Sequence, residues 1–251
     1  MVFMASATLD LVGHDDARPA FPAVYLDGHA VLSYAELAGL VGEAERVLRH
    51  DGKALVLCAG DRDLPTLLAY LAALRLGHAV AFLPASNEIL SAYQPEFVVP
   101  APGSGTGLAE LGYRPAAEPI AGTTVFQRSG QPVGEIYIDM ALLLGTSGST
   151  GSPKTVRLSY SGLAGNTAAV IRALGITAAE CAPTTLPITH AYGLSVLNSH
   201  LLAGAGVVLG DGSPVSLATW DRLVRSGATS FAAVPTTYAA FGPSQDRKSV
   251  V

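Results

Sequence analysis

Apolar and polar positions along the chain switch between a period of two and a period near 3.6, and the switches mark out the elements. Val24-Tyr25-Leu26 and Ala30-Val31-Leu32, joined by Asp27-Gly28-His29, predict a small hairpin. Ser33 stands three residues before Glu36, the spacing of a capping box that opens a helix. Leu37, Leu40, Val41, Ala44, Val47 and Leu48 recur at helical spacing behind it, and Asp51-Gly52 stops the run. Ala54 to Cys58 is a continuous apolar strand. Asp63 caps a second helix whose stripe carries Leu67, Leu68, Leu71 and Leu74, with Gly77 just past its end. Ala79 to Leu83 is the next strand, closed by Pro84. Strand, helix and strand in this order predict a βαβ unit and a parallel sheet.

Residues 86–136 are less regular. Phe97-Val98-Val99 reads as a strand and Pro100 to Gly107 as a Gly/Pro-rich loop, and nothing in this stretch carries legible chemistry. Leu142 to Leu144 is a short apolar strand. The alternating Lys154 to Leu158 predicts another, followed by a helix over 162–174 stopped by Gly175. Thr184 to Leu186, Val207 to Leu209 and Ser230 to Val234 read as strands. Leu194 to Leu202 and Ser216 to Arg225 read as helices, and Pro235 opens a last short helix, as proline can at the first helical position. The expected fold class is α/β, with two successive βαβ-type regions and mainly parallel sheets. The expected organisation is an arm over 1–24, a first α/β subdomain over 25–139, a second over 140–241, and a disordered tail over 242–251.

Composition narrows this picture. With 251 residues, the chain is long enough for one or two domains. Hydrophobic residues make up 49% and charged residues 14%, more apolar than a usual soluble domain. Either the core is rich in Ala, Val and Leu, as buried parallel sheets are, or part of the surface expects a partner. A net charge of -5 supplies no global basic field, so no nucleic-acid partner is expected. Cys58 and Cys181 are too few and too far apart for a disulfide framework or a metal site, and Cys58 reads as a buried core thiol. Met1 to Asp16 has no basic region followed by an apolar core, so no signal peptide is expected. The most apolar window, Leu67 to Pro84, contains Arg75, Gly77 and His78 and reads as helix, turn and strand, not as a membrane span. A cytoplasmic location is the expectation.

The candidate chemistry lies in two places. The apolar strand Leu142-Leu143-Leu144 stops at Gly145-Thr146-Ser147-Gly148-Ser149-Thr150-Gly151-Ser152-Pro153-Lys154. Glycines let backbone N–H groups converge into an anion-binding concavity, hydroxyls add donors that rotate to suit, and Lys154 adds a mobile positive charge. This is the composition of a phosphate cradle, and also of a flexible Gly/Ser linker. It is not a Walker A loop, a dinucleotide fingerprint or a nucleophile elbow. The second place is Leu186-Pro187-Ile188-Thr189-His190-Ala191-Tyr192-Gly193-Leu194, which places His190 between an expected strand and a helix. Open α/β sheets bind ligands at such an edge. His190 could donate a hydrogen bond to a carboxylate or gate a pocket, or simply pack at the helix start. The other histidines, His14, His29, His50, His78 and His200, read as surface or packing residues.

The string Thr146 to Lys154, TSGSTG-x-PK, resembles the phosphate-binding signature of the adenylate-forming superfamily, which includes acyl- and aryl-CoA ligases, luciferase and peptide-synthetase adenylation domains. Leu32 to Leu37 is similar to the family's TYxEL segment, and Leu71 to Pro84 to its helix-Gly-strand-Pro segment. Pro187 to Gly193 resembles the Pro-x-x-His-x-x-Gly stretch beside the acyl pocket. The resemblance implies that Thr146, Ser147, Gly148, Ser149, Thr150, Gly151 and Lys154 hold ATP phosphates, and that His190, Tyr192 and Gly193 border the acid. It implies ATP and Mg²⁺ as cofactors, an acyl-adenylate formed with release of pyrophosphate, and CoA or a carrier protein as acceptor. Amino-acid-activating members carry Phe-Asp where Thr189-His190 stands here, and no carboxylate lies between Cys181 and Asp211. The substrate expected is therefore a fatty, aryl or other simple carboxylic acid.

Tyr25 to Phe241 corresponds to the N-terminal half of the family's enzymes, the first portion of their large domain. Their Tyr-Gly-x-Thr-Glu segment, ribose aspartate, hinge and catalytic lysine have no counterpart in this sequence, so no catalytic residue and no metal ligand is assigned. Thr155 replaces a glycine common after Pro-Lys, which implies altered loop mobility with an intact phosphate site. The expectation is a fragment inactive alone, with an apolar face covered by the missing half or by a second copy. The alternative is a natural short non-catalytic nucleotide- or acyl-binding module, or one half of a split enzyme.

Overall fold

The computed structural model of the protein describes residues 8–13, 20–26, 30–104, 107–130, 134–145, 155–210, 212–213 and 215–241. The hairpin strands are β1 (Pro22–Tyr25) and β2 (Val31–Ser33), paired antiparallel. Helix α1 (Tyr34–Val47) follows with the expected capping box: Ser33 Oγ accepts from Glu36 N at 3.2 Å, and Glu36 Oε2 accepts from Ser33 N at 2.8 Å. Then come β3 (Leu55–Cys58), α2 (Leu64–Arg75, capped by Asp63) and β4 (Ala79–Phe82). The irregular stretch holds α3 (Asn87–Tyr93), β5 (Phe97–Val99), a 3-10 turn (Leu108–Leu111), β6 (Tyr113–Pro115) and β7 (Phe126–Arg128). The rest of the chain forms β8 (Met140–Gly145), β9 (Thr155–Ser159), α4 (Tyr160–Leu174), β10 (Cys181–Pro183), α5 (Ala191–Leu202), β11 (Gly206–Val208), α6 (Leu217–Arg225) and α7 (Pro235–Ala240).

These strands make a seven-stranded sheet in the order β6-β7-β5-β3-β4-β8-β9 and a four-stranded sheet in the order β10-β11-β1-β2. The centres, β5-β3-β4-β8 and β10-β11-β1, are parallel, and the antiparallel pairs lie toward the edges. The fold is α/β, as the pattern predicts. Strand pairing does not follow the expected division at 139/140. β8 and β9 extend the sheet begun by β3 and β4, while β1 and β2, from the start of the chain, pair with β11. The reason is long-range: β1 finds its parallel neighbour across most of the sequence, with Val24 opposite Val207.

Helices α2 and α4 lie on the seven-stranded sheet, α1 and α5 on the four-stranded sheet, and α1 packs on α2 as α4 packs on α5. One core therefore joins both sheets, from Val24 and Val207 through Leu37, Leu67 and Leu197 to Val56, Val80 and Leu142. Alternate residues of the central strands, Leu55, Leu57, Ala79, Ala81 and Leu143, face a second core under α3. Burial on both faces explains why these strands read as unbroken apolar runs. Helix α2 differs from the single stripe expected of it: every residue from Pro65 to Leu74 is buried, because sheet, α1 and α5 surround it.

Two strand assignments change. The strand expected at Thr184–Leu186 lies earlier, at Cys181–Pro183. Thr184 N still donates to Val208 O at 2.9 Å, but Thr185 turns its hydroxyl to Ala232 O at 2.6 Å and leaves the ladder. The strand expected at Ser230–Val234 is an extended segment without a ladder. It is tied to β10 through Thr229 N and Ser230 N, both of which donate to Cys181 O. Both cysteines are free and buried; burial pushes the Cys181 thiol up to about 11 and the Cys58 thiol further. No helix among the described residues is long and apolar enough to cross a membrane.

Candidate functional site

Strand β8 runs parallel to β4, and both end at the same edge of the sheet. Gly145, its last residue, pairs with Thr155, the first residue of β9. The segment between them therefore leaves and re-enters one antiparallel pair at the carboxyl edge of the parallel strands. That is the edge where open α/β sheets bind ligands. Thr146, Ser147, Gly148, Ser149, Thr150, Gly151 and Lys154 lie outside the described residues. The re-entry point is tethered: Tyr93 Oη and Thr155 Oγ1 are 3.1 Å apart, which ties the end of α3 to the start of β9.

The second segment lies beyond β10. His190 is the N-cap of α5; its backbone is extended, its side chain makes no capping hydrogen bond, and it is exposed. It thus sits past a six-residue connection (residues 184–189) and not directly at a strand end as expected. Tyr192 is half exposed, while Gly193 is buried against the connection. A Cβ on Gly193 would collide with the carbonyl oxygens of Pro187 and Leu186, so a glycine is needed for α5 to start this close to its own approach.

The connection itself is held from the other sheet. Asp61, just after β3, accepts through Oδ1 from Ile188 N at 2.8 Å and Thr189 N at 3.4 Å. Arg62 Nε donates to Asp61 Oδ2 at 2.9 Å, and Arg62 Nη1 reaches Thr184 O at 3.3 Å and Thr185 O at 3.2 Å. Carboxylate and guanidinium together clasp the segment that presents His190. The sequence reading used Asp63 as a helix cap and passed over Asp61 and Arg62. The signal was present: two further charged residues directly follow a buried strand at a ligand edge.

One cavity of about 400 Å³ lies between β8, β9, α4 and α5. Leu144, next to the root of the Gly/Ser loop, and Tyr192 both line it. Leu158, Leu163 and Leu194 make its walls apolar; Ser195 and Asn198 add polar groups from α5. His190 does not line it. Among the described residues no three His, Cys, Asp or Glu side chains gather as metal ligands. The cavity suits an apolar or weakly polar ligand.

The AMP-binding enzyme family matches residues 115–249. Oxalate–CoA ligase of Saccharomyces cerevisiae is 34% identical over 99 residues, covering 39% of this chain and 18% of the yeast protein. Oxalate–CoA ligase of Arabidopsis thaliana is 36% identical over 102 residues, covering 40% and 20%. Among solved structures, apo MatB from Rhodopseudomonas palustris superposes with a TM-score of 0.73 at 24% identity, covering 92% of this chain and 49% of MatB. o-Succinylbenzoate CoA synthetase (MenE) from Bacillus subtilis, solved with its acyl-adenylate intermediate OSB-AMP, gives a TM-score of 0.71 at 20% identity over 90% of this chain and 61% of that one. These superpositions speak for the fold. The chain spans about half the length of MatB, and the matched stretches are about a fifth of the two ligases.

Proposed function

The chain belongs to the AMP-binding enzyme family, and from that premise we propose that it supplies the phosphate- and acid-binding half of an ATP-dependent acid–CoA ligase. Such an enzyme joins a carboxylate to the α-phosphate of ATP, releases pyrophosphate and passes the acyl group to CoA. The observation that carries the reading is that Leu144, beside the loop root Gly145, and Ala191 and Tyr192, beside His190, line one cavity. Thr146 to Gly151 wrap the β- and γ-phosphates with backbone N–H groups and hydroxyls, and Lys154 offsets their charge. Tyr192 and Gly193 border the acid, and His190 stands at the rim, where it can donate to the carboxylate. Mg²⁺ brought in with ATP would neutralise phosphate charge; no carboxylate of this chain is assigned to it.

Chemistry of this kind depends on positioning and charge neutralisation, and this chain provides only part of both. The 251-residue chain alone therefore binds nucleotide and acid without turnover. Leu217 and Val224 on α6 and Tyr238 on α7 are 86%, 77% and 52% exposed, and the remainder of a full-length ligase covers this apolar surface in the cytoplasm. The test is a calorimetric titration of ATP and of pyrophosphate against the wild-type chain and Lys154→Ala. Weaker binding in the variant supports the cradle, and equal affinity removes Lys154 from its role. Acid-dependent pyrophosphate exchange by the chain alone would overturn the assignment of an inactive half.

A further inference from the structure

The two roots of the Gly/Ser loop are held differently. Gly145 ends β8, which has β4 on one side and β9 on the other. Thr155 begins β9, the last strand of the seven-stranded sheet, and no strand among the described residues lies on its outer side. The pair Gly145–Thr155 is the last rung of that ladder before the loop. The end rung of an edge strand is where a ladder opens most readily. One hydrogen bond from outside the ladder secures it: Tyr93 Oη and Thr155 Oγ1 lie 3.1 Å apart. Neither hydroxyl makes another hydrogen bond among the described residues.

The donor of this tether stands on firm ground. Ile89 and Leu90 bury α3 in the second core, and the Tyr93 side chain packs on the same core. The helix stops at the next residue, because Gln94 is left-handed with φ +42°, a conformation unfavourable for a residue with a Cβ. Tyr93 is therefore the last residue of α3, and its partner lies 62 positions further along the chain. Lys154 is joined directly to Thr155, so the place of Thr155 sets where the Lys154 backbone begins. A binding group held in place before its ligand arrives loses less freedom on binding.

We propose that Tyr93 is a positioning residue for phosphate binding: through Thr155 it fixes the re-entry of the Gly/Ser loop into the sheet, and with it the point from which Lys154 acts on the phosphates. This rests on the phosphate-cradle reading given above. Tyr93 acts through Thr155 and not on the nucleotide itself. A bond that served stability alone would lower the melting temperature and leave the affinity of the folded chain unchanged.

The test is a double-mutant cycle on the 251-residue chain: Tyr93→Phe, Thr155→Val and the two combined, read as pyrophosphate affinity by calorimetry well below the melting temperature. Each single variant keeps the bulk of its side chain and loses one hydroxyl. Each should bind pyrophosphate about 2- to 10-fold more weakly than wild type, the range that one neutral hydrogen bond supports. The combined variant should bind no more weakly than the weaker single variant, because both remove the same bond. Thr155→Ser brings back a hydroxyl and should recover most of the affinity lost in Thr155→Val; with Tyr93→Phe it carries the test if the valine variant does not fold. Wild-type affinity in folded Tyr93→Phe, with or without a lower melting temperature, would overturn the proposal. So would losses that multiply in the combined variant. In both cases weaker binding by Lys154→Ala would leave the cradle standing. No pyrophosphate binding by wild type would overturn the cradle and this proposal together.

Discussion

Replacing Asp61 by alanine removes the carboxylate that holds the segment leading to His190. Ile188 is fully buried, and its N–H loses a 2.8 Å bond to a charged acceptor. A bond of that kind is worth about 1.5–3 kcal/mol. The contact from Thr189 N is longer, at 3.4 Å, and adds little. The Asp61–Arg62 pair is partly exposed, with side-chain exposures of 33% and 15%, so it adds at most about 1 kcal/mol. The loss comes to about 2–4 kcal/mol. For a chain of this length each kcal/mol lowers the melting temperature by about 2–4 °C. Asp61→Ala should therefore melt about 4–16 °C below wild type in a thermal scan followed by circular dichroism.

Asp61→Asn separates the contributions. It keeps an acceptor for Ile188 N and drops the charge, so it should cost about 1 kcal/mol. Hydrogen exchange read by mass spectrometry should show residues 184–190 exchanging faster in Asp61→Ala, with strands β3 and β4 protected as before. A melting temperature within a degree of wild type, or unchanged exchange over 184–190, would refute the clasp. An equal loss in Asp61→Asn would mean that charge, and not the accepted hydrogen bond, carries the effect.

Three further outcomes are expected. Ser33→Ala breaks the capping box of α1 and should cost about 1 kcal/mol, read as a shift of the urea midpoint with unchanged slope. Gly193→Ala forces the start of α5 away from Pro187 and Leu186, and should cost about 1–3 kcal/mol while weakening acid binding more than ATP binding; calorimetry on both ligands checks this. Burial holds the imidazoles of His78 and His200 below the ordinary value of 6.5. Below that value the unfolded chain binds protons that the folded chain does not. Stability is therefore full above about pH 6.5 and falls as the pH drops, by up to about 1.4 kcal/mol per pH unit for each histidine. Melting temperatures between pH 7.5 and 5.5 should decline, less steeply in His200→Gln; a flat profile would contradict it.

Elements whose signals are local were legible in the sequence. The capping box at Ser33 and Glu36, the Asp63 cap, the Gly77 and Gly175 stops and the proline at the start of α7 each involve residues within a few positions. Two kinds of feature were not legible. Strand partners set by tertiary contact, such as β1 with β11, leave no mark at either end. The segment Ser230–Val234 has strand-like residues, but Thr229 and Ser230 already occupy the Cys181 carbonyl and no ladder continues. Lone polar residues on apolar helices were the second kind. Asn198 interrupts the run Leu194, Leu197, Leu201, and its partner Tyr70 lies 128 positions away in the chain.

Both groups that shape the candidate site from behind come from the same part of the chain. Asp61 and Arg62 sit immediately before α2, and Tyr70 lies on α2 two turns further along. The first pair holds the approach to His190, and the tyrosine orients the amide of Asn198 on the helix that His190 caps. Asn198 of α5 and the connection that leads into that helix are therefore both tied to α2 or to the residues just before it. This gives a reason for the full burial of α2 beyond its contribution to the core. A helix packed on every side has one position, and a site that borrows its geometry from that helix inherits its rigidity. A shift of α2 by even a fraction of an ångström would move the connection and the Asn198 amide together. Cavity-forming substitutions such as Leu71→Ala should consequently weaken acid binding as well as lower stability, although Leu71 does not line the cavity.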